Sequence, residues 1–461
     1  MRSERASERA GAARVLGEGL TAPRSALLRQ LLADPRAEVR RAALQAAGRA
    51  RASELWPVVS VSLADPACRA SAVSALVAGG DAALAEVEAL FLANAPPAVL
   101  RQAARVAARI GTPHAAAAMR RQLDYPDQRV RDAVLEALRA CGWSAEATDD
   151  RAAVEARVRE EARDAAWTSA VMRDLHLDAD PLLRDALEGE LEGGRRRVLL
   201  LLGMAGDRAA MERVRDALGH GAREKRAYAL EVLDVTLSGP LRALVLPIME
   251  DLEPAERAAR LADEFPQPVA SPEERVREVI SRPESDLASW TRACALRAAG
   301  RMLDVHEAGS GGMTMLTIEK VICLKAVPMF AEATEEILAD VAGILEEREI
   351  KAGEVVFEKG ETGDSLYVIV HGQVRVFDGV RTITHLGEHD IFGELALLDP
   401  EPRVASVAAV TDTRLLRLDR EGFAELMAGN IEIVRGVLHV LCERLRRQAS
   451  VTPAPADARH R

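Results

Sequence analysis

Aromatic side chains make up only 3% of the 461 residues. A core so poor in rings has to be filled by Leu, Val and Ala, which suits closely packed helices. Lysine is nearly absent as well. It occurs only at Lys225, Lys320, Lys325, Lys351 and Lys359, and four of these five fall between 320 and 359, which marks a compositional boundary near 310. The five cysteines, Cys68, Cys141, Cys294, Cys323 and Cys442, stand singly with no CxxC pair. That excludes a disulfide framework and a zinc ribbon and reads as reduced, buried thiols in a cytosolic protein. No apolar run approaches the roughly 18 residues of a membrane span. The longest, RRRVLLLLGMAG (195–206), reads as a buried helix. The N-terminus, MRSERASERAGAARVL, has no apolar core and is not a secretory signal. These absences point to a cytoplasmic chain. A net charge of −11 argues against a general nucleic-acid binder, and no specific DNA binding is expected.

What is present is repetition. LLADPRAEVRRAALQAAG (31–48) is echoed by LADPACRASAVSALVAGG (63–80), LANAPPAVLRQAARVAARIG (92–111) and LDYPDQRVRDAVLEALRACG (123–142). Each unit has an Asp/Asn/Pro turn, then Arg and apolar residues at helical spacing, then often a Gly, with a period of roughly 30 residues. One helical hairpin cannot bury its apolar face alone, whereas stacked neighbours can. The pattern resembles short HEAT-type repeats. The interspersed arginines read as solvated helix faces. From 151 to 303 the helical character continues with looser repetition. This part resembles the degenerate helical-repeat region beside the cyclic-nucleotide domain of some bacterial nucleotide-translocase-like proteins. That resemblance implies a membrane transporter as one possible partner, and the chain itself is expected to contain no transporter part.

Six segments follow from this reading: an N-terminal segment (1–20), HEAT-like repeats (21–150), a degenerate repeat region (151–303), a Gly/Ser linker (304–316), a mixed domain (317–449) and a disordered tail (450–461). In the mixed domain the period changes. Helices are expected over 318–330 and 334–349, with Thr334 as N-cap of the second. Short strands punctuated by glycines follow over 354–360, 365–377, 381–387, 406–410 and 414–419, and helices close the domain over 420–429 and 431–448. The strand pattern indicates a small antiparallel barrel or jelly roll. The fold class is therefore α + β multidomain, an all-α solenoid followed by a β-roll with flanking helices.

Two motifs in the second part are specific. GETGDSLYVIVHGQVRV (360–376) and FGELALLDPEPRVAS (392–406) match, in order and at family spacing, the glycine signature and the phosphate-binding cassette of cyclic-nucleotide-binding domains. The resemblance implies a β-roll of the cAMP-receptor type. It places the ligand on Gly393, Glu394, Leu395, Ala396, Arg403, Val404 and Ala405.

The chemistry is consistent with that placement. A cyclic phosphate is an anion on an apolar-faced ring system, and burying it requires a cation and aimed N–H donors. Gly393 lets the backbone approach closely, and one turn over 394–398 would point free N–H groups at the phosphate. Arg403 would supply a charge-assisted contact, and Glu394 would accept the ribose 2′-hydroxyl. In the family a Thr or Ser after the cassette arginine favours guanine. Val404 has no hydroxyl, so cAMP is expected over cGMP. His389 stands where the family commonly has Gly, which would shift the approach to the cassette. Leu438, Leu441 and Leu445 are candidates for a lid over the base. The alternative is a Glu394–Arg403 pair closing an empty, degenerate cassette.

His371, His385 and His389 lack the carboxylate or Cys pattern of a metal site, so no metal is expected. No nucleophile motif, HExxH, P-loop or GxGxxG accompanies them, and the chain reads as non-enzymatic. A catabolite-activator-type transcription factor would need a helix-turn-helix after the closing helix, and none is expected in the short Pro- and Ala-rich stretch after 448. The expected function is a cyclic-nucleotide-responsive regulatory protein with a protein partner on the repeats.

Overall fold

In the computed structural model the described residues are 5–18, 22–65, 67–175, 180–220, 223–302, 315–394, 402–429 and 433–438. They form two compact units, Met1–His306 and Glu307–Arg461. Most of the linker (304–314) and the tail (450–461) lie outside the described residues.

The first unit is helical throughout its described elements. Ala6–Leu16 packs on Ala37–Ala50, which packs on Arg69–Gly79. Pro97–Ile110 and Gln128–Ala140 continue the series, each against the one before. Ala22–Leu32, Trp56–Val61, Leu84–Leu92 and Pro113–Arg120 fall between them in the chain, each packed against the helix of the series that follows it. The sequence dictates this. Pro97–Ile110 buries Val99, Leu100, Ala103, Ala104, Val106 and Ala107, a continuous stripe at helical spacing. Small residues set the approach: a Cβ at Gly48 would stand 2.8 Å from the Ala75 Cα of the next helix in the series.

Arginine and aspartate tie the turns together. Arg9 Nε donates to Asp34 Oδ2 at 2.7 Å. One period later Arg40 Nη2 donates to Asp65 Oδ2 at 2.9 Å. The Arg9 hydrogen bond is the main influence holding the Asp34 carboxyl below its ordinary pKa. Arginines also fold back onto the preceding turn: Arg40 Nη1 on Asp34 O at 2.9 Å, Arg69 Nε on Leu63 O at 2.9 Å, and Arg131 Nη1 on Tyr125 O at 2.9 Å. Arg69, Arg131, Arg197, Arg257 and Arg275 are buried, which corrects the expectation of solvated arginine faces. Turn carbonyls at helix ends lack intrahelical partners, and a guanidinium can satisfy several at once.

Two long helices, Thr148–Leu175 and Pro181–Ala205, follow, the second containing the apolar run at 195–206. Their buried charges are paired. Arg197 Nε donates to Glu161 Oε2 at 2.8 Å, and Arg275 Nε to Asp174 Oδ2 at 2.9 Å. Burial works to raise the Asp174 pKa, but hydrogen bonds from Arg173, Arg275 and the Ala270 N–H prevail and bring it down to about 2.

The second unit opens with helices Thr317–Lys325 and Glu335–Ala342, the latter capped by the Thr334 side chain, which accepts from the Ile337 N–H. The helix expected over 334–349 stops there. Glu346–Ile350 is instead strand β1, because its acidic residues meet arginines across the ladder: Glu346 with Arg417 at 2.8 Å and Glu349 with Arg414 at 2.9 Å. The remaining strands are β2 (Val355–Phe357), β3 (Ser365–His371), β4 (Val374–Asp378), β5 (Arg381–Leu386), β6 (Ile391–Phe392), β7 (Ser406–Ala409) and β8 (Thr413–Asp419). They form two antiparallel sheets, in the orders β1-β8-β3-β6 and β2-β7-β4-β5. Among the described residues no closed barrel forms, which corrects the barrel expectation.

Phe357, Val374 and Val407 from one sheet and Tyr367, Ile369, Phe392 and Leu415 from the other make one shared core. Leu366, Val368, Leu416 and Leu418, on the alternate positions of β3 and β8, are also buried, so these central strands are covered on both faces. Arg420–Gly429 is helical and packs on β8. Of the closing helix, 433–438 is described and helical, and 439–448 lies outside the described residues.

Candidate anion-binding site

The site is built where β6 ends and β7 begins. β6 pairs with β3 through Tyr367 and Phe392. His389 takes a positive φ of 66°, a conformation glycine adopts more readily. Its N–H donates to Ile369 O at 2.8 Å, and Ile369 N–H donates to Asp390 O at 3.0 Å. The approach to the cassette is thus anchored on β3 with histidine in the left-handed conformation. The imidazole Nδ1 lies 3.8 Å from Cys323 Sγ.

Gly393 follows with φ of 82°. A Cβ there would stand 2.7 Å from Arg403 Nη1 and 2.9 Å from Ser365 O, so glycine is required for both conformation and space. Glu394 is buried beside it. Leu395 and Ala396, with the turn expected over 394–398, lie outside the described residues.

Arg403 is buried. Its Nη1 donates to Gly393 O at 3.0 Å and its Nη2 to Ser365 O at 2.9 Å. Its Cζ lies 4.0 Å from the centroid of the Phe357 ring. Burial lowers the guanidinium pKa, opposed by Tyr367 and by the Asp364, Glu361 and Glu394 carboxyls. The net direction is downward. Ala405 is buried, while Val404 is exposed. Leu438 is exposed, and Leu441 and Leu445 lie outside the described residues.

The structure therefore brings Gly393, Glu394 and Arg403 to one place. Phe357, Gly363 and Ser365 belong to it too, and sequence reading did not single them out as site residues. The signal for Phe357 was the scarcity of rings: it sits with Tyr367 and Phe392, which stack at 5.1 Å. The three loop histidines are not assembled. His371 Nδ1 lies 2.6 Å from Glu388 Oε1 while His389 faces Cys323. Among the described residues no group of three or more His, Cys, Asp or Glu side chains is placed to hold a metal ion. No helix among them is long and apolar enough to cross a membrane.

Two antiparallel sheets around a small aromatic core, with a buried guanidinium beside a glycine-held carboxylate at the rim, define a domain suited to receiving a small organic anion. Residues 347–430 match the family described as "Cyclic nucleotide-binding domain", so the C-terminal unit carries such a domain. It is similar to a CRP-like cAMP-activated global transcriptional regulator of Mycobacterium tuberculosis, 40% identical over 100 residues, which is 21% of this chain and 45% of the relative. It is also similar to a cAMP-dependent protein kinase regulatory subunit of Aspergillus fumigatus, 33% identical over 135 residues, 29% of this chain and 30% of the relative. The chain thus spans less than half the length of either. Among solved structures, the N-terminal domain of a transcriptional regulator from Streptomyces coelicolor A3(2) is 27% identical, with a TM-score of 0.27 over 30% of this chain and 99% of that one.

Proposed function

We propose that the chain is a non-enzymatic regulatory protein in which a cAMP-responsive C-terminal unit governs a HEAT-like solenoid that binds a protein partner. The observation that carries the reading is Arg403: a buried guanidinium packed against Gly393 and close to the buried Glu394 carboxyl. The printed names of the bacterial and fungal relatives, which are cAMP-activated and cAMP-dependent regulators, support the ligand. Phosphate binding at Arg403 draws on the cassette, and Glu394 takes the ribose hydroxyl. Val404, exposed and without a hydroxyl, favours adenine over guanine. The closing helix and the helices over 317–342 respond together, and the repeats transmit the change to a protein, for which a membrane transporter is one candidate. A ligand biases such an equilibrium only by its differential affinity for the two states.

A second reading has its own support. Both terminal nitrogens of Arg403 donate to main-chain carbonyls of the domain itself, as in a cassette closed on itself in a structural scaffold. Calorimetric titration of the chain with cAMP and with cGMP separates the two. Micromolar binding of cAMP supports the sensor, whereas no heat with either nucleotide leaves the scaffold.

A further inference from the structure

We infer that the end of β2 and the turn from it to β3 are the positioning element for Arg403, with Phe357 and Gly363 as the residues that aim it. The inference rests on the nucleotide-binding reading above and extends it to residues outside the cassette.

The Arg403 guanidinium carbon lies over the Phe357 ring, with Cζ 4.0 Å from the ring centroid. The ring is itself immobilised, because its centroid is 5.9 Å from that of Phe392 and 6.0 Å from that of Tyr367 within the shared core. It acts as a fixed plate rather than a side chain that follows the arginine.

Gly363 closes on the other parts of the side chain. A Cβ there would overlap Arg403 Nε and stand 2.5 Å from Cζ and 2.8 Å from Cδ. Its φ is outside the left-handed region, so glycine is required here for space alone. The same turn holds the Arg403 main chain: Gly360 N–H donates to Arg403 O at 2.8 Å, and Arg403 N–H donates to Glu361 O at 2.8 Å. Thr362 and Pro402 form an isolated bridge beside these bonds.

With one N–H of each terminal nitrogen committed to Gly393 O and Ser365 O, the guanidinium keeps Nε–H and one further N–H on each terminal nitrogen. The Phe357 plate and the Gly363 gap fix where those donors point. A guanidinium held in advance loses little rotamer freedom when it captures a phosphate. The two sequence motifs are therefore one device, the glycine turn aiming the cation that the cassette presents.

Calorimetric titration of the full chain with cAMP, alongside thermal melting, tests this. Phe357→Leu keeps apolar bulk but removes the ring face. It should lower the melting temperature through lost core contacts and, measured well below that temperature, weaken binding about 3- to 30-fold. Phe357→Tyr keeps the face and should retain affinity. Gly363→Ala should weaken binding at least about tenfold by displacing the arginine. If the wild-type chain binds while Phe357→Leu and Gly363→Ala both stay within about twofold of it, the positioning role is overturned and nucleotide binding stands. If the wild-type chain binds neither cAMP nor cGMP, the nucleotide reading falls and this inference with it.

Discussion

Gly436 in the closing helix lies directly against the carbonyl of Met329. A Cβ at 436 would overlap Met329 O and stand 2.9 Å from its carbonyl carbon. Ile433 and Val437 of the same helical stretch are buried. Close approach of this kind fixes the distance between two segments, because a single added methyl forces them apart. Gly436→Ala should destabilise the C-terminal unit by about 1–3 kcal/mol through overpacking. Amide hydrogen exchange should then accelerate together at 326–331 and 433–438. Acceleration at only one of them would mean that the two segments are not held by this contact.

Arg403→Ala removes the buried cation. Affinity for cAMP should fall by roughly 2–5 kcal/mol, read by calorimetry. Glu394→Gln should cost less and should act on the sugar instead, narrowing the preference for cAMP over its 2′-deoxy analogue. Equal losses for both analogues would place the ribose contact elsewhere.

Val404 is exposed, so a polar side chain there disturbs no core. Val404→Thr should improve cGMP relative to cAMP by about 3- to 10-fold, the value of one added hydrogen bond. Competition titration with both nucleotides measures it. An unchanged ratio would show that the base does not reach this position.

Asp174 predicts a pH dependence of the helical unit. Its folded pKa is depressed to about 2, below the ordinary 3.8, with hydrogen bonds from Arg173 and Arg275 overcoming the effect of burial. A depressed carboxyl contributes stability that is present above its unfolded pKa and lost as pH falls through the folded one. The contribution should therefore be full above about pH 5 and fade between about pH 4 and pH 2. Asp174→Asn should lower the melting temperature at pH 7, with the gap from wild type closing across that acid window. A gap independent of pH would assign the loss to packing.

Much of this was legible in the sequence because it rests on local rules. The Asp-Pro turns recur because aspartate caps the chain after a turn, as Asp34 does for the Arg36 N–H and Asp65 for the Ala67 N–H. Gly393, Glu394 and Arg403 were legible because their types and spacing match a family motif, and the structure places the three together. The strand at Glu346–Ile350 was not legible. Its Glu-rich sequence favours a helix locally, and only its pairing with Arg414 and Arg417 of β8 makes it a strand. The burial of Arg131, Arg197 and Arg275 was equally hidden, because the partners that neutralise a buried guanidinium are contributed by other turns and helices.

The sequence by itself determined the helical character of the first unit, the change to short strands near the end and the spacing of the cassette residues, since each follows from periodicity, turn chemistry or a fixed spacing. Tertiary structure alone decided how the cassette arginine is held. Phe357 and Gly363 precede Arg403 by a long stretch of chain, and their local sequence does not show that they touch it. They meet because β2 and β3 occupy facing sheets around one aromatic core, and the turn joining those strands comes back against Arg403 ahead of β7.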